Sequence, residues 1–245
     1  HTELWGNQSL SINTQYINLS PYEALIPSTQ GVRWNSPFES LSGEAVFRSK
    51  GDKSMFKFYT GFNHTNLDIE QENINFENFV PFSLKNNNLY LNGSYKYFFE
   101  NDWTVNLGSS ISWDTSDIGV FGNAIAVNET ANHVKAKVKK GFSNRFNLSF
   151  GSEYFHINYK ENFADENGFS FDSDFNDNLF ASFAEADIFF SNAFAMKLGV
   201  RAENTSVVSD FALSPRISLA YKSSEKGQFS LAYGDFYQNP LSEVL

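Results

Sequence analysis

The sequence predicts an all-β fold, a transmembrane antiparallel up-and-down β-barrel with about eleven strands in these 245 residues. Three observations lead there. Apolar and polar residues alternate with period two along nearly the whole chain. The alternating runs are long, and the connections between them alternate between tight turns and long polar stretches. Away from the strand ends, the apolar side of these runs carries no Asp, Glu, Lys or Arg.

The runs span roughly 4–17, 39–49, 54–66, 86–99, 103–115, 131–139, 144–159, 177–190, 193–205, 211–222 and 227–236. Phe56, Phe58, Thr60 and Phe62 share one side of the third run, with Lys57, Tyr59, Gly61 and Asn63 on the other. The same alternation places Leu89 to Phe99, Trp103 to Trp113, Phe194 to Ala202 and Leu213 to Tyr221 in half-apolar strands. Many runs reach about 10 to 14 residues, where strands of soluble proteins usually stop near 5 or 6.

Tight turns are expected at 50–53, 100–102, 140–144, 191–192 and 223–226, with long loops at 18–38, 67–85, 116–130 and 160–176. Short turns on one side and long loops on the other describe periplasmic and extracellular ends of an outer-membrane barrel. A Lys or Arg facing lipid near mid-membrane costs about 2–4 kcal/mol, whereas a lumen wall tolerates it. The opposite face here carries Glu44, Arg48, Lys57, Lys96, Lys135, Lys137, Lys139, Glu153, Glu185, Asp187, Lys197, Arg201, Glu203, Arg216 and Lys222. Aromatic residues cluster beside the tight turns: Phe98, Phe99 and Trp103; Phe142 and Phe146; Phe189, Phe190 and Phe194; Tyr221 and Phe229. Such rings suit the headgroup boundary of a membrane.

Composition agrees. The chain holds 27 Phe, 11 Tyr and 4 Trp, an aromatic share of 17%, together with abundant Asn, a mixture suited to strands and turns. No apolar run is long enough for a membrane helix. A net charge of −10 argues against a nucleic-acid partner, and the absence of Cys excludes disulfides and thiolate chemistry. Eleven strands is an odd number and an open sheet cannot stand alone in lipid, so residues 1–245 are expected to be part of one outer-membrane β-barrel domain.

Several segments resemble a known family. Leu213-Ser214-Pro215-Arg216-Ile217 leading to Tyr221-Lys222, then Leu231-Ala232-Tyr233-Gly234-Asp235-Phe236-Tyr237, is similar to the middle of TonB-dependent receptor barrels of Bacteroidetes type. Leu198 to Glu203 resembles the strand before that motif, and Asn18 to Tyr22 with Trp34 resembles an outer loop. The resemblance implies a 22-stranded barrel around an N-terminal plug domain, and a TonB box drawing energy from the inner membrane. It also implies import of a siderophore, vitamin, peptide or glycan. The implied partners are outer-membrane lipid, the plug, the TonB complex reached through the missing N-terminal part, and a surface lipoprotein. No cofactor is expected.

Ligand-contact candidates are Phe76, Phe79 and Phe82, interleaved with the acidic residues Asp68, Glu70, Glu72 and Glu77, together with Trp34 and Tyr237. Packing of these loops on one another is the competing explanation. Catalytic residues are not expected: His1, His64, His133 and His156 lack metal-binding spacing, and no G-x-S-x-G elbow occurs. Asp172, Asp174 and Asn176 match positions 1, 3 and 5 of a calcium loop, but Asp177 and Phe183 stand where Gly and Glu are needed. Lys135, Lys137 and Lys139 form a basic stripe suited to an anionic solute, to plug carboxylates or to solvent. Rival functions are a passive porin, an outer-membrane enzyme of 10 to 12 strands, and a soluble glycan-binding or adhesion module.

Overall fold

Twelve antiparallel strands, each hydrogen-bonded to its neighbours in sequence, form one sheet in the computed structural model. The structure describes residues 2, 3, 6–25, 31–73, 75, 79–206 and 210–237. The strands are β1 (Thr2–Glu3), β2 (Gln8–Asn18), β3 (Val32–Lys50), β4 (Ser54–Gln71), β5 (Val80–Phe98), β6 (Trp103–Val120), β7 (Asn123–Ser143), β8 (Phe146–Ala164), β9 (Ser170–Phe189), β10 (Phe194–Thr205), β11 (Asp210–Lys222) and β12 (Gln228–Gly234). A six-residue helix, α1 (Ser20–Leu25), interrupts the path from β2 to β3. The first expected run, 4–17, corresponds to β2, and the two-residue β1 ahead of it raises the strand count from about eleven to twelve.

Register decides which side chains share a face, because a slip of one residue would exchange them all. The row starting at Phe56 passes through Tyr95, Leu107, Ala136 and Ser152 to Ser182. Further along, Met196, Leu219 and Leu231 stand opposite one another. All these residues occupy the apolar face read from the sequence. Large apolar side chains of this face are exposed: Leu107 by 48%, Phe62 by 42% and Val134 by 53%. Among the described residues the only buried hydrophobic side chains are Tyr159 and Ala181. A soluble sandwich would cover its aromatics with a second sheet. This single layer has none, so the exposed face needs an apolar solvent.

The geometry suits a bilayer. The row from Ser54, at the lower end of β4, runs through Tyr97, Val105, Val138 and Phe150 to Ala184, five residues short of the end of β9. A stagger of about one residue per strand, at about 3.4 Å per residue and 4.8 Å between strands, tilts the strands by about 35°. Trp103 and Trp113 lie on the apolar face of β6, ten residues apart. With that tilt they stand about 28 Å apart along the membrane normal, close to the roughly 25 Å apolar band of outer-membrane barrels.

Strands β3 to β9 have 18 to 21 residues, where about 9 to 11 would span a membrane. Their extra length lies on the side expected to hold long loops. The expected loop at 116–130 is a reversal at Phe121 and Gly122, whose φ values of 53° and 79° suit a two-residue hairpin turn. The loop at 160–176 shrinks to five residues between β8 and β9, and that at 67–85 to the eight between β4 and β5. Above Trp113 the outward side turns polar, with Thr115 and Asp117 on β6 and Lys160 and Asn162 on β8. Water wets both faces there, so the alternation disappears while the hydrogen-bond ladder continues.

Asp165 ties the β8–β9 tip. Its Oδ1 accepts the backbone N–H of Phe169 at 2.7 Å and of Asn167 at 2.9 Å. The Phe169 bond, with smaller help from Asn167 and Gly168, holds its carboxyl below the usual range against a small opposing desolvation. The stabilisation is therefore complete above the ordinary Asp pKa of about 3.9 and fades as pH falls through the lower folded value.

Leu107→Arg is expected to block insertion into lipid vesicles, whereas Asn106→Arg, whose side chain joins the polar face between Lys96 and Lys137, should assemble normally. Equal folding yields would reverse the facing assignment. Hydrogen exchange at the Phe169 amide should stay slow from pH 7 to about 4, quicken relative to its intrinsic rate below that, and be fast at pH 7 in Asp165→Ala. Protection that ignores both changes would separate Asp165 from the turn.

Candidate functional site

All the buried polar side chains among the described residues lie on the face opposite the exposed aromatics. Alternation along β7 to β11 places Lys135, Lys137, Lys139, Glu153, Glu185, Asp187, Lys197, Arg201, Glu203 and Arg216 together there. Glu153, only 6% exposed, is the centre. It receives Arg201 and lies 2.9 Å from Lys135 and 3.4 Å from the His133 ring. Arg201 also grips Glu203 through Nε at 2.6 Å. Lys137 pairs with Glu185 at 3.3 Å, while Lys197 and Lys139 approach Asp187 at 3.3 and 4.0 Å.

Glycines make room for this network. A Cβ at Gly151 would meet the Phe183 ring at 2.8 Å and the Ala136 carbonyl at 2.4 Å. The Phe183 ring occupies that space and carries Lys135 and Lys137 at 5.1 and 5.8 Å from its centroid. At Gly234 a Cβ would meet the Arg216 stem at 2.9 Å. Arg216 instead lies flat, with its guanidinium 4.6 Å from the Phe236 ring centroid.

Nearer β2 the polar face changes character. Asn13, Gln15, Glu44, Tyr59, Asn88 and Tyr90 line a depression of about 390 Å³. Asp114 accepts Asn88 at 2.8 Å and Asn86 at 3.2 Å, and Asn86 reaches Ser116 at 2.8 Å. Amide and phenol groups replace ion pairs, an arrangement that offers neutral hydrogen bonds to whatever fills the space.

At the rim, register joins two of the expected contact residues. Trp34 stands opposite Ile69, Ile69 opposite Phe82, and Phe82 opposite Val120, forming an apolar row on the polar face of β3 to β6. β-Bulges at Trp34–Ser36 and Ser36–Glu39 set the tip of β3 in this register. Phe79 belongs to the outward side of the same tip, where the Arg33 guanidinium stands 3.8 Å from its ring centroid and 3.5 Å from Glu70. Phe76 lies outside the described residues. Tyr237 follows β12 at the far edge of the sheet, 60% exposed and apart from the Trp34 row.

Asp172, Asp174 and Asn176 sit at alternate positions of β9, on the outward side. A strand spreads such residues about 7 Å apart, so they line up instead of encircling an ion. Each faces a β8 partner: Asn162 at 2.5 Å, Lys160 at 3.7 Å and Asn158 at 2.9 Å, respectively. No group of three potential metal ligands occurs among the described residues. His156 hydrogen-bonds Asn178 at 2.9 Å on the outward face. The sequence reading placed Glu153, Arg201 and the lysines on one face but not their convergence on Glu153, which depends on the registers of three strand pairs.

The family model described as "TonB dependent receptor-like, beta-barrel" matches residues 8–244. Among solved structures, the RagAB peptide importer in its closed-closed state superposes with a TM-score of 0.64 at 10% identity, covering 94% of this chain and 35% of that one. The ferric enterobactin receptor PfeA from Pseudomonas aeruginosa gives 0.64 at 10% identity, over 97% of this chain and 40% of that one. The alcaligin receptor FauA from Bordetella pertussis gives 0.56 at 8%, over 89% and 39%. Likeness at these identities speaks for the fold, and this chain spans little more than a third of those chains. No curated protein matches it.

Glu153→Gln should lower the stability of the full-length protein by about 2 kcal/mol, because it leaves Lys135 and Arg201 without their shared buried partner. Asp174→Asn breaks a pair more than half exposed at both ends and should cost under about 0.5 kcal/mol. Urea midpoints in detergent measure both. Equal shifts would mean that water already screens the Glu153 network.

Proposed function

The chain belongs to the TonB-dependent receptor-like β-barrel family, and from that premise we propose that it forms part of the wall of an energised nutrient importer. Barrels of this family reside in the outer membrane, and its members are receptors and transporters. The observation that carries the proposal is the division of one sheet into a lipid-compatible face and a charged, hydrogen-bonded face. A wall with those two surfaces separates acyl chains from a polar interior. In this reading residues 1–245 are one section of the barrel domain, and flanking polypeptide supplies the plug, the TonB box and the remaining strands of a 22-stranded barrel.

A siderophore, vitamin, peptide or glycan would first meet the outer rim, where strands β3 to β9 stand above the membrane. The Trp34–Ile69–Phe82 row faces inward there and gives apolar contact to an incoming solute, with the amides of Asn86 and Asn88 on the same face. Binding would then rearrange the plug and open a path, with energy delivered through the TonB complex. Conformational work replaces covalent chemistry in this mechanism. A surface lipoprotein completes the set of proposed partners, at the same rim.

Uptake by cells carrying the full-length protein should stop when the proton gradient is collapsed. Transport that continues would identify a passive channel instead. Trp34→Ala and Phe82→Ala should each weaken binding of the transported solute roughly tenfold, the usual effect of removing one interfacial aromatic anchor, with unchanged barrel assembly. Unchanged binding in both variants would remove this row from the solute's path.

A further inference from the structure

We infer that Arg216 is a docking point for a carboxylate carried by the polypeptide that occupies the barrel interior. The inference rests on the reading of this face as an occupied lumen wall, and deepens it to a single side chain and its partner's chemistry.

Charge matching on the wall leads to Arg216. Around Glu153 and Glu185 the polar face of β7 to β11 carries the cations Lys135, Lys137, Lys139, Lys197, Arg201 and Arg216. The carboxylates Glu153, Glu185, Asp187 and Glu203 stand among them, and each is taken. Glu153 holds Arg201 and Lys135, Glu185 holds Lys137, Asp187 holds Lys197 and Lys139, and Glu203 holds Arg201. Arg216 has no carboxylate within 4.0 Å among the described residues. Its Nε is shut off from solvent without a hydrogen-bond acceptor, and so is the hydroxyl of Ser214, 1% exposed, two residues before it.

Geometry defines the missing group. Arg216 borders two hollows of the same wall, one of about 150 Å³ shared with Lys137, Phe183, Glu185 and Arg201, the other of about 300 Å³ shared with Glu185, Lys197 and Phe236; Glu185 is already paired with Lys137 and lies beyond 4.0 Å of Arg216. The Phe236 ring lies beside the guanidinium, and no described carboxylate reaches its nitrogens. A guanidinium is a planar fork that matches a carboxylate with two parallel hydrogen bonds. Depth favours a resident partner over a passing solute. The row opposite Arg216 runs through Gly199, Glu185 and Ser149 to Lys139, below the Leu107 row and within the hydrophobic band. Ionisable groups at membrane depth are kept paired.

The test is carbodiimide coupling of the full-length Arg216→Lys protein in detergent, followed by peptide mass spectrometry. The new amine should form an amide with one Asp or Glu outside residues 1–245. Lys137 and Glu185, 3.3 Å apart, provide the internal control. Coupling of the control pair with no adduct at position 216 overturns the inference, as does coupling of position 216 to a carboxylate within residues 1–245. An adduct with a small carboxylic acid also overturns it, in favour of a solute site. All three results leave the importer reading intact, since that reading stands or falls on energised uptake.

Discussion

A backbone immersed in hydrocarbon must satisfy its own hydrogen bonds, and the rest of this structure follows from that demand. A sheet can meet it only when each strand is paired along its whole immersed length. Sequence neighbours supply that pairing most simply, which gives the uninterrupted meander β1 to β12. Once every strand is paired, period two assigns each residue to acyl chains or to the interior. A Leu and an Asn at adjacent positions of β6 thus meet opposite solvents. The uncharged face follows directly, because a single Lys there would cost a sizeable fraction of a domain's stability.

The same strand changes solvent along its length as well as across its faces. On β8 the outward side reads Phe146, Leu148, Phe150, Ser152 and Tyr154 through the membrane, then His156, Asn158 and Lys160 beyond it. This change explains what the sequence made legible. Within the bilayer the two faces differ in chemistry, so the strands can be read from residue type alone. Above the bilayer both faces are wet, and Asn86-Asn87-Asn88 or Asn128 to Thr130 resemble loop composition although they continue the ladder. Backbone bonds carry no compositional signature, which is why the long loops were expected where long strands stand. A bulky residue at positive φ, Phe121, hides the shortest of these reversals further.

Site legibility has a similar limit. Alternation placed Lys135, Lys137 and Lys139 on the interior side, yet gave no sign that Glu153 lies beneath Lys135 and Arg201. That convergence brings together β7, β8 and β10, the last two separated by β9. The aromatic loop residues divided for the same reason. Trp34 and Phe82 belong to one row because β4 sets both registers, whereas Tyr237, chosen from a local motif, emerges at the other edge of the sheet. Residues at alternate positions, such as Asp172, Asp174 and Asn176, mimic a coordination loop only until the segment is known to be extended.

The distribution of charge connects the rim with the interior. Many of the acids of this chain lie beyond the membrane. Asp68, Glu70, Glu72, Asp114, Asp117, Asp165, Glu166, Asp172 and Asp174 belong to the outer strand extensions and their tips. A rim of this sign raises the local concentration of cationic solutes and disfavours free anions. A small anion therefore meets its largest electrostatic barrier before it can reach the cations below. The counter-charge for that deeper wall is better carried by a polypeptide already lodged inside, which pays no such barrier when the protein is assembled. In the proposed importer, this separation of sign along the axis would let the mouth select entering solutes while the interior holds a different partner.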